Sequence, residues 1–203
     1  MSHYDLIIID FEAVASYACL LRGIPSLQLS HQGSYWSGRT PRPTKRVLHW
    51  EWVRKYMSPS KYKLGFHFEP YDNFVLPPII RKEIRELKPE NHGHYTVYLA
   101  AYRSDVLVDY FSQFPDERFE IFVKEGEVGE FGNSRVFRAS VEGFLESLRT
   151  CSGILTGGGF ESPAEALFLG KKLMVSPIKG QYEQACNAAC ARGLGVPVFE
   201  ELN

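Results

Sequence analysis

The chain opens on a continuous apolar run, Leu6-Ile7-Ile8-Ile9, that ends in a carboxylate, Asp10. A run without polar alternation predicts a strand over residues 4–10, covered on both faces as in a parallel sheet. Apolar residues then recur at helical spacing, at Val14, Tyr17, Ala18 and Leu21. They predict a short helix over 12–22, which Gly23 stops. Residues 25–30 read as a second strand, and strand, helix and strand make a right-handed βαβ unit. Residues 33–44 are rich in Gly, Ser, Pro and Arg and read as a loop. Val47, Trp50, Val53 and Arg54 fall on one side of a helix over 45–57, and residues 63–68 alternate weakly as a further strand.

The pattern changes between 74 and 94. Leu76-Pro77-Pro78-Ile79 must be extended, because proline disfavours a helical residue before it. A charged helix over 81–87 and a polar stretch to 93 follow. Beyond them strands alternate regularly with helices. Strands are predicted at 95–101, 119–123, 135–138, 153–156, 172–176 and 197–199, and helices at 104–114, 141–150, 162–169 and 181–192. That alternation is the pattern of a doubly wound α/β domain. Three segments result: an incomplete first domain over 1–76, a linker over 77–93 and a complete second domain over 94–203. The first has too few strands for a doubly wound sheet of its own and reads as the C-terminal part of a larger domain. Two such domains are expected to enclose a ligand cleft between them.

Composition narrows the functional classes. Of 203 residues 44% are hydrophobic and 23% charged, which excludes a disordered chain. Lys and Arg number 23 against 24 for Asp and Glu, so no cationic surplus is offered to nucleic acid. No apolar stretch reaches bilayer length, and the N-terminus lacks a signal-peptide pattern. Cys19, Cys151, Cys186 and Cys190 are scattered without a CxxC, which suits reduced thiols in a cytoplasmic protein. Cys186 and Cys190 fall four apart on one helix, a spacing that core packing explains.

The chemistry concentrates in Thr156-Gly157-Gly158-Gly159-Phe160-Glu161-Ser162-Pro163-Ala164-Glu165. A buried strand runs into three glycines and then a helix start, with Ser162 as the expected N-cap and Pro163 at the first helical position. Exposed backbone N–H groups and the helix dipole make such a turn an anion site, here for phosphate or pyrophosphate. The spacing fits neither GxGxxG nor GxxxxGKS. Spacing alone makes Glu165 the partner of Ser162 in a capping box, ahead of a carboxylate accepting from ribose hydroxyls. After the next strand, Gln181, Glu183 and Gln184 are types that fix sugar hydroxyls, although a solvated helix start is their default role.

The stretch GGGFESPAEALFLGKKLMVSPIKGQYEQACNAA resembles the donor-site signature of GT-B glycosyltransferases, closest to the family 28 branch that includes the peptidoglycan lipid-intermediate N-acetylglucosaminyltransferase. VFRASVEGFLESLRTCSGILT resembles the segment before that signature, DLIIIDFEAVASYACLLRGIPSLQLSHQ the last βαβ of the family's N-terminal domain, and LPPIIRKEIRELKP its interdomain linker. The resemblance implies a GT-B fold: a doubly wound, Rossmann-like C-terminal domain with an incomplete Rossmann-like N-terminal domain. It implies a nucleotide sugar, a UDP-sugar, with its diphosphate on Gly158, Gly159, Phe160 and Ser162 and its ribose on Glu165, which displaces the capping box. It places the base against backbone around Phe137, Arg138 and Val141, and the sugar hydroxyls on Glu183 and Gln184. The family usually has Gln or Asp at the first of that pair, so Glu183 leaves the sugar open.

The implied reaction is inverting transfer to an acceptor hydroxyl, with the helix N-terminus stabilising the leaving diphosphate. No cofactor and no metal are expected, in keeping with the lack of a DxD triplet. The family carries its general base in the first half of the N-terminal domain, so the chain is expected to be a fragment that binds donor and catalyses poorly alone. Asp10 and His31 are the weak candidates for a base; an N-cap suits Asp10 better, and a hydrogen-bonded role suits His31 better. The acceptor is expected to be a glycan or lipid-linked group of cell-envelope polysaccharide. Arg39, Arg42, Lys45 and Arg46 suggest peripheral contact with the inner membrane face, against the simpler reading of a solvated loop. Trp36, Trp50 and Trp52 suggest an exposed apolar patch, and an open sheet edge suggests a homodimer. Two alternatives stand beside the transferase: a nucleotide-sugar 2-epimerase of the same fold, and a non-catalytic donor-binding half that needs a partner chain.

Overall fold

The computed structural model describes residues 4–200 and 202. By internal contacts the chain divides into two compact units, Met1–Ile79 and Ile80–Asn203.

The first unit is a four-stranded parallel sheet in the order β1 (Ile7–Ile9), β2 (Ser26–Ser30), β3 (Tyr62–Phe66), β4 (Val75–Leu76). Helix α1 (Ala13–Arg22) joins β1 to β2 and ends on Gly23 in the left-handed region, φ 66°. A 3₁₀ segment, His31–Trp36, and helix α2 (Leu48–Tyr56) lie between β2 and β3. The segment at 31–36 is thus a helical turn where a plain loop is expected from composition.

Two expectations are corrected here. β1 is an edge strand rather than a strand covered on both faces: Ile9 is buried, but Leu6 is 44% and Ile8 61% exposed. The apolar stripe of α1 also faces outward, with Val14 77% and Leu21 84% exposed, while Ser16 and Cys19 are buried. The reason is polar. Ser16 Oγ donates to the Pro59 carbonyl, and Tyr17 Oη donates to the Tyr56 carbonyl at 2.8 Å. Ser58 Oγ donates to the Glu12 carbonyl at 3.4 Å. Satisfying backbone carbonyls in the turn after α2 orients the helix more strongly than its apolar periodicity does.

The second unit is a six-stranded sheet ordered β10-β9-β5-β6-β8-β7. Its strands are β5 (His94–Tyr98), β6 (Arg118–Val123), β7 (Gly129–Phe131), β8 (Ser134–Arg138), β9 (Gly153–Gly157) and β10 (Lys172–Ser176). All neighbours are parallel except the hairpin β7–β8, whose first strand the sequence pattern did not announce. The segment predicted as a strand over 197–199 makes a single bridge, Val198 to Val175. The helices are α3 (Lys82–Arg85), α4 (Ser104–Phe111), α5 (Val141–Thr150), α6 (Glu161–Phe168) and α7 (Tyr182–Gly193).

Val97, Leu107 and Ile121 are fully buried between the sheet and α4. On the opposite face Thr96 Oγ1 and the Ser147 hydroxyl of α5 meet at 2.7 Å, which satisfies two buried polar groups with each other. From β5 the chain lays down β6 and β8 on one side, then crosses by α5 to lay β9 and β10 on the other. The order therefore reverses between β5 and β9, and in such sheets ligands bind beyond the carboxyl ends of the strands at that reversal.

Candidate functional site

Gly157, the last residue of β9, sits at the reversal, and the glycine loop follows it. Gly158 is clamped. Its N–H donates to Gln184 Oε1 at 3.0 Å, and its carbonyl accepts from Asn187 Nδ2 at 3.0 Å. A Cβ at Gly158 would lie 2.8 Å from both the Cβ and the carbonyl oxygen of Gln184 and 3.0 Å from Pro177 Cβ, so packing demands glycine there. Gly159 differs: it is exposed, and a Cβ would meet nothing within 4 Å. No packing neighbour accounts for glycine at that position, whereas close approach of a ligand to the backbone would.

The loop leads into α6, whose N-cap is Phe160, two residues earlier than the Ser162 cap expected from the sequence. Ser162 is already helical and Pro163 follows it inside the first turn. The Phe160 side chain makes no cap hydrogen bond, so the helix start presents backbone N–H groups and the positive end of the dipole to the rim. The capping box is also absent. Glu165, only 5% exposed, turns instead to Arg81: Arg81 Nε donates to Oε1 at 2.6 Å and Nη2 to Oε2 at 3.2 Å. A buried carboxylate gains more from a guanidinium than from a backbone N–H. The bonds to Glu165 in turn raise the Arg81 pKa above its ordinary value.

The rim of β10 completes the wall. Gln184 Oε1 accepts a second bond from the Ile178 N–H at 3.0 Å, and Gln184 Nε2 donates to Gln181 Oε1 at 2.6 Å. Gln184 is thus a clasp between the two loops, while Glu183 is exposed in the first turn of α7. A cavity of about 380 Å³ opens beside Gly157, lined also by residues 99–102 after β5, by 176–179 at the end of β10, and by Glu200 and Leu202. A larger cavity of about 850 Å³ is lined by Phe111, Phe119, Leu155, Met174 and Phe199; it is mostly apolar and has few groups to orient a polar ligand.

The structure therefore brings Gly158, Gly159, Phe160, Ser162 and Glu165 together on one loop and helix, with Gln184 in contact. Phe137, Arg138 and Val141 lie at the carboxyl end of β8 and the start of α5, three strands along the sheet from β9, roughly 14 Å at ~4.8 Å per strand. Phe137 stacks on Phe122 at 5.3 Å, and Arg138 donates to the Lys124 and Gly126 carbonyls at 2.8 and 3.1 Å. Val141 is 59% exposed. Sequence reasoning missed Arg81 and Asn187. Asn187 falls three residues after Gln184, the spacing of neighbours on one helix face, and was open to detection. Arg81 lies 84 residues from Glu165, beyond any local pattern.

In the first unit, Asp10 is exposed and does not cap α1. Glu12 does, accepting from the Val14 and Ala15 N–H groups at 2.9 and 2.6 Å, which lowers its pKa below the ordinary value. His31 is 6% exposed, with Tyr35 and His67 rings 5.4 and 4.8 Å away. Burial, then His31 and Arg42, lower His67 from the ordinary 6.5 to about 2. Arg42 turns inward, to the Tyr35 carbonyl at 2.8 Å and to Glu51 at 3.2 Å, and so leaves the basic run, of which Arg39, Lys45 and Arg46 are exposed. Trp50 and Trp52 are exposed, whereas Trp36 is half-buried and donates to Gln28 at 3.1 Å. No helix among the described residues is long and apolar enough to cross a membrane.

A family model, glycosyl transferase family 1, matches residues 2–202. The chain belongs to that family. Solved glycosyltransferases share its GT-B fold. A UDP-glucosyltransferase from Polygonum tinctorium capable of glucosylating indoxyl superimposes with a TM-score of 0.66 at 15% identity, over 97% of this chain and 62% of that one. The glycotransferase of kitacinnamycin gives 0.62 at 19%, over 97% and 63%. MurG of Acinetobacter baumannii gives 0.57 at 14%, over 97% and 60%. The chain thus spans 60% to 63% of the length of these three glycosyltransferases. No curated protein matches it in sequence. Within the family-1 chain, the loop after β9 and the start of α6 form the strongest candidate site, because they lie at the reversal of the sheet.

Proposed function

We propose that the second unit binds a nucleoside diphosphate sugar, a UDP-sugar, and that the glycosyltransferase to which it belongs transfers the sugar to an acceptor hydroxyl with inversion and without a metal. One observation carries the reading. In a chain of glycosyl transferase family 1, an exposed glycine with no packing role leads directly into an uncapped helix N-terminus at the switch point of the sheet. In this reading the Gly159–Ser162 backbone cradles the diphosphate, and the dipole of α6 stabilises charge as it builds on the leaving group. Glu165 accepts from the ribose hydroxyls, Glu183 and Gln184 face the sugar, and the base lies along Phe137–Val141. The epimerase reading would use the same donor residues; no observation in the structure favours it.

Isothermal titration of the whole chain with uridine diphosphate, uridine monophosphate and adenosine diphosphate tests this. Uridine diphosphate is expected to bind best. Glu165→Ala should weaken it at least tenfold, which is about 1.4 kcal/mol, below the roughly 1.5–3 kcal/mol of one charge-assisted hydrogen bond. The assignment falls if uridine diphosphate does not bind, or binds no better than the monophosphate.

A further inference from the structure

We propose that Arg81 is a positioning residue for ribose recognition: it holds the Glu165 carboxylate in one plane, with the acceptor sites that the guanidinium does not use turned to a vicinal diol. The inference rests on the reading of Glu165 as the ribose acceptor and extends it to a residue outside the donor signature.

The geometry supports this in three ways. First, the pairing is bidentate, at 2.6 and 3.2 Å, with one guanidinium nitrogen on each carboxylate oxygen, which fixes the plane as well as the position of the group. An ionised carboxylate offers about four acceptor sites. Arg81 fills one on each oxygen and leaves one on each, the number that two adjacent hydroxyls require. Second, the Glu165 side chain is only 7% exposed while that of Arg81 is 44% exposed. Few waters can therefore reach the Glu165 oxygens, so the guanidinium rather than solvent sets the orientation of the carboxylate. Third, Arg81 is anchored. It directly precedes α3, whose Ile84 is fully buried, and the Arg85 N–H donates to the Arg81 carbonyl at 3.2 Å. Glu83 and Glu161 also act on the guanidinium and favour its charge.

The test is the affinity of the whole chain for uridine diphosphate and for 2′-deoxyuridine diphosphate, by calorimetry, in wild type and in Arg81→Ala, Arg81→Lys and Glu165→Gln. Wild type should prefer the ribonucleotide. Arg81→Ala should cut that preference about tenfold while leaving affinity for the deoxy compound nearly unchanged. Arg81→Lys, which keeps the charge and loses the second bond, should restore part of the preference. If Arg81→Ala does not fold, Arg81→Lys still decides, because the bidentate clamp predicts that it falls short of wild type. Full preference in the folded Arg81 variants, or equal loss for both nucleotides, overturns the positioning role. If the preference survives Glu165→Gln, Glu165 is not the ribose acceptor, and the reading on which this inference rests falls with it. Loss in Glu165→Gln together with full preference in Arg81→Ala overturns the role of Arg81 alone.

Discussion

Gly158 and Gly159 are neighbours with opposite reasons for being glycine. Alanine at 158 would force its Cβ against Gln184 and Pro177, so Gly158→Ala is expected to cost about 1–3 kcal/mol of stability in urea unfolding. Gly159→Ala meets nothing and should change stability by less than about 0.5 kcal/mol, yet weaken uridine diphosphate in calorimetry. A nucleotide affinity indifferent to Gly159→Ala would move the diphosphate off this loop. His67 gives a second prediction. Its unfolded imidazole takes a proton below about pH 6.5, while the folded one stays neutral down to about 2. Across that window the unfolded state binds more protons, so stability falls as the pH is lowered, by about 1.4 kcal/mol per unit below 6.5. His67→Gln should flatten this slope in unfolding measured between pH 7.5 and 5.5; an unchanged slope would mean that His67 is not held neutral.

Among the elements, the 3₁₀ segment packs closely against β3. A Cβ on Gly65 would lie 2.2 Å from the Ser34 nitrogen, so Gly65→Ala should destabilise the chain by about 3 kcal/mol or more in urea titration. Which elements the sequence reveals follows from where their periodicity comes from. α5 was legible to the residue because Ser140 caps it, accepting from the Gly143 N–H at 3.2 Å, and its apolar face is continuous. β9 and β10 were legible as apolar runs. α1 was found in the right place and turned the wrong way, because hydroxyl bonds to distant carbonyls at 56 and 59 orient it and no local pattern records them. β7 was missed because three residues beginning on Gly129 carry too little pattern. The site divides in the same way. The glycine loop is contiguous in sequence and stood out, whereas the true partner of Glu165 and the cap of α6 depend on long-range charge and on backbone geometry.

For the whole molecule, a ligand at 100 times its dissociation constant stabilises the state that binds it by about 2.7 kcal/mol. On the present assignment, hydrogen exchange with saturating uridine diphosphate should slow most at the Gly157–Ala164 amides and in the turn at 177–181 (Pro163 and Pro177 carry none). Protection confined to the apolar cavity beside Phe111 and Met174 would place the ligand elsewhere. The Gln184 amide has a consequence of its own. One oxygen serves two backbone N–H groups on separate strand ends, those of Gly158 and Ile178. A sugar hydroxyl that recruited this amide would strip both at once, exposing a donor on each lip in a single exchange. At about 0.5–1.5 kcal/mol for each bond given up, only a ligand whose phosphates re-engage the vacated Gly158 N–H recovers the loss. On the proposed reading free sugars should therefore bind feebly, and a sugar should be held beside Gln184 only when joined to its nucleotide.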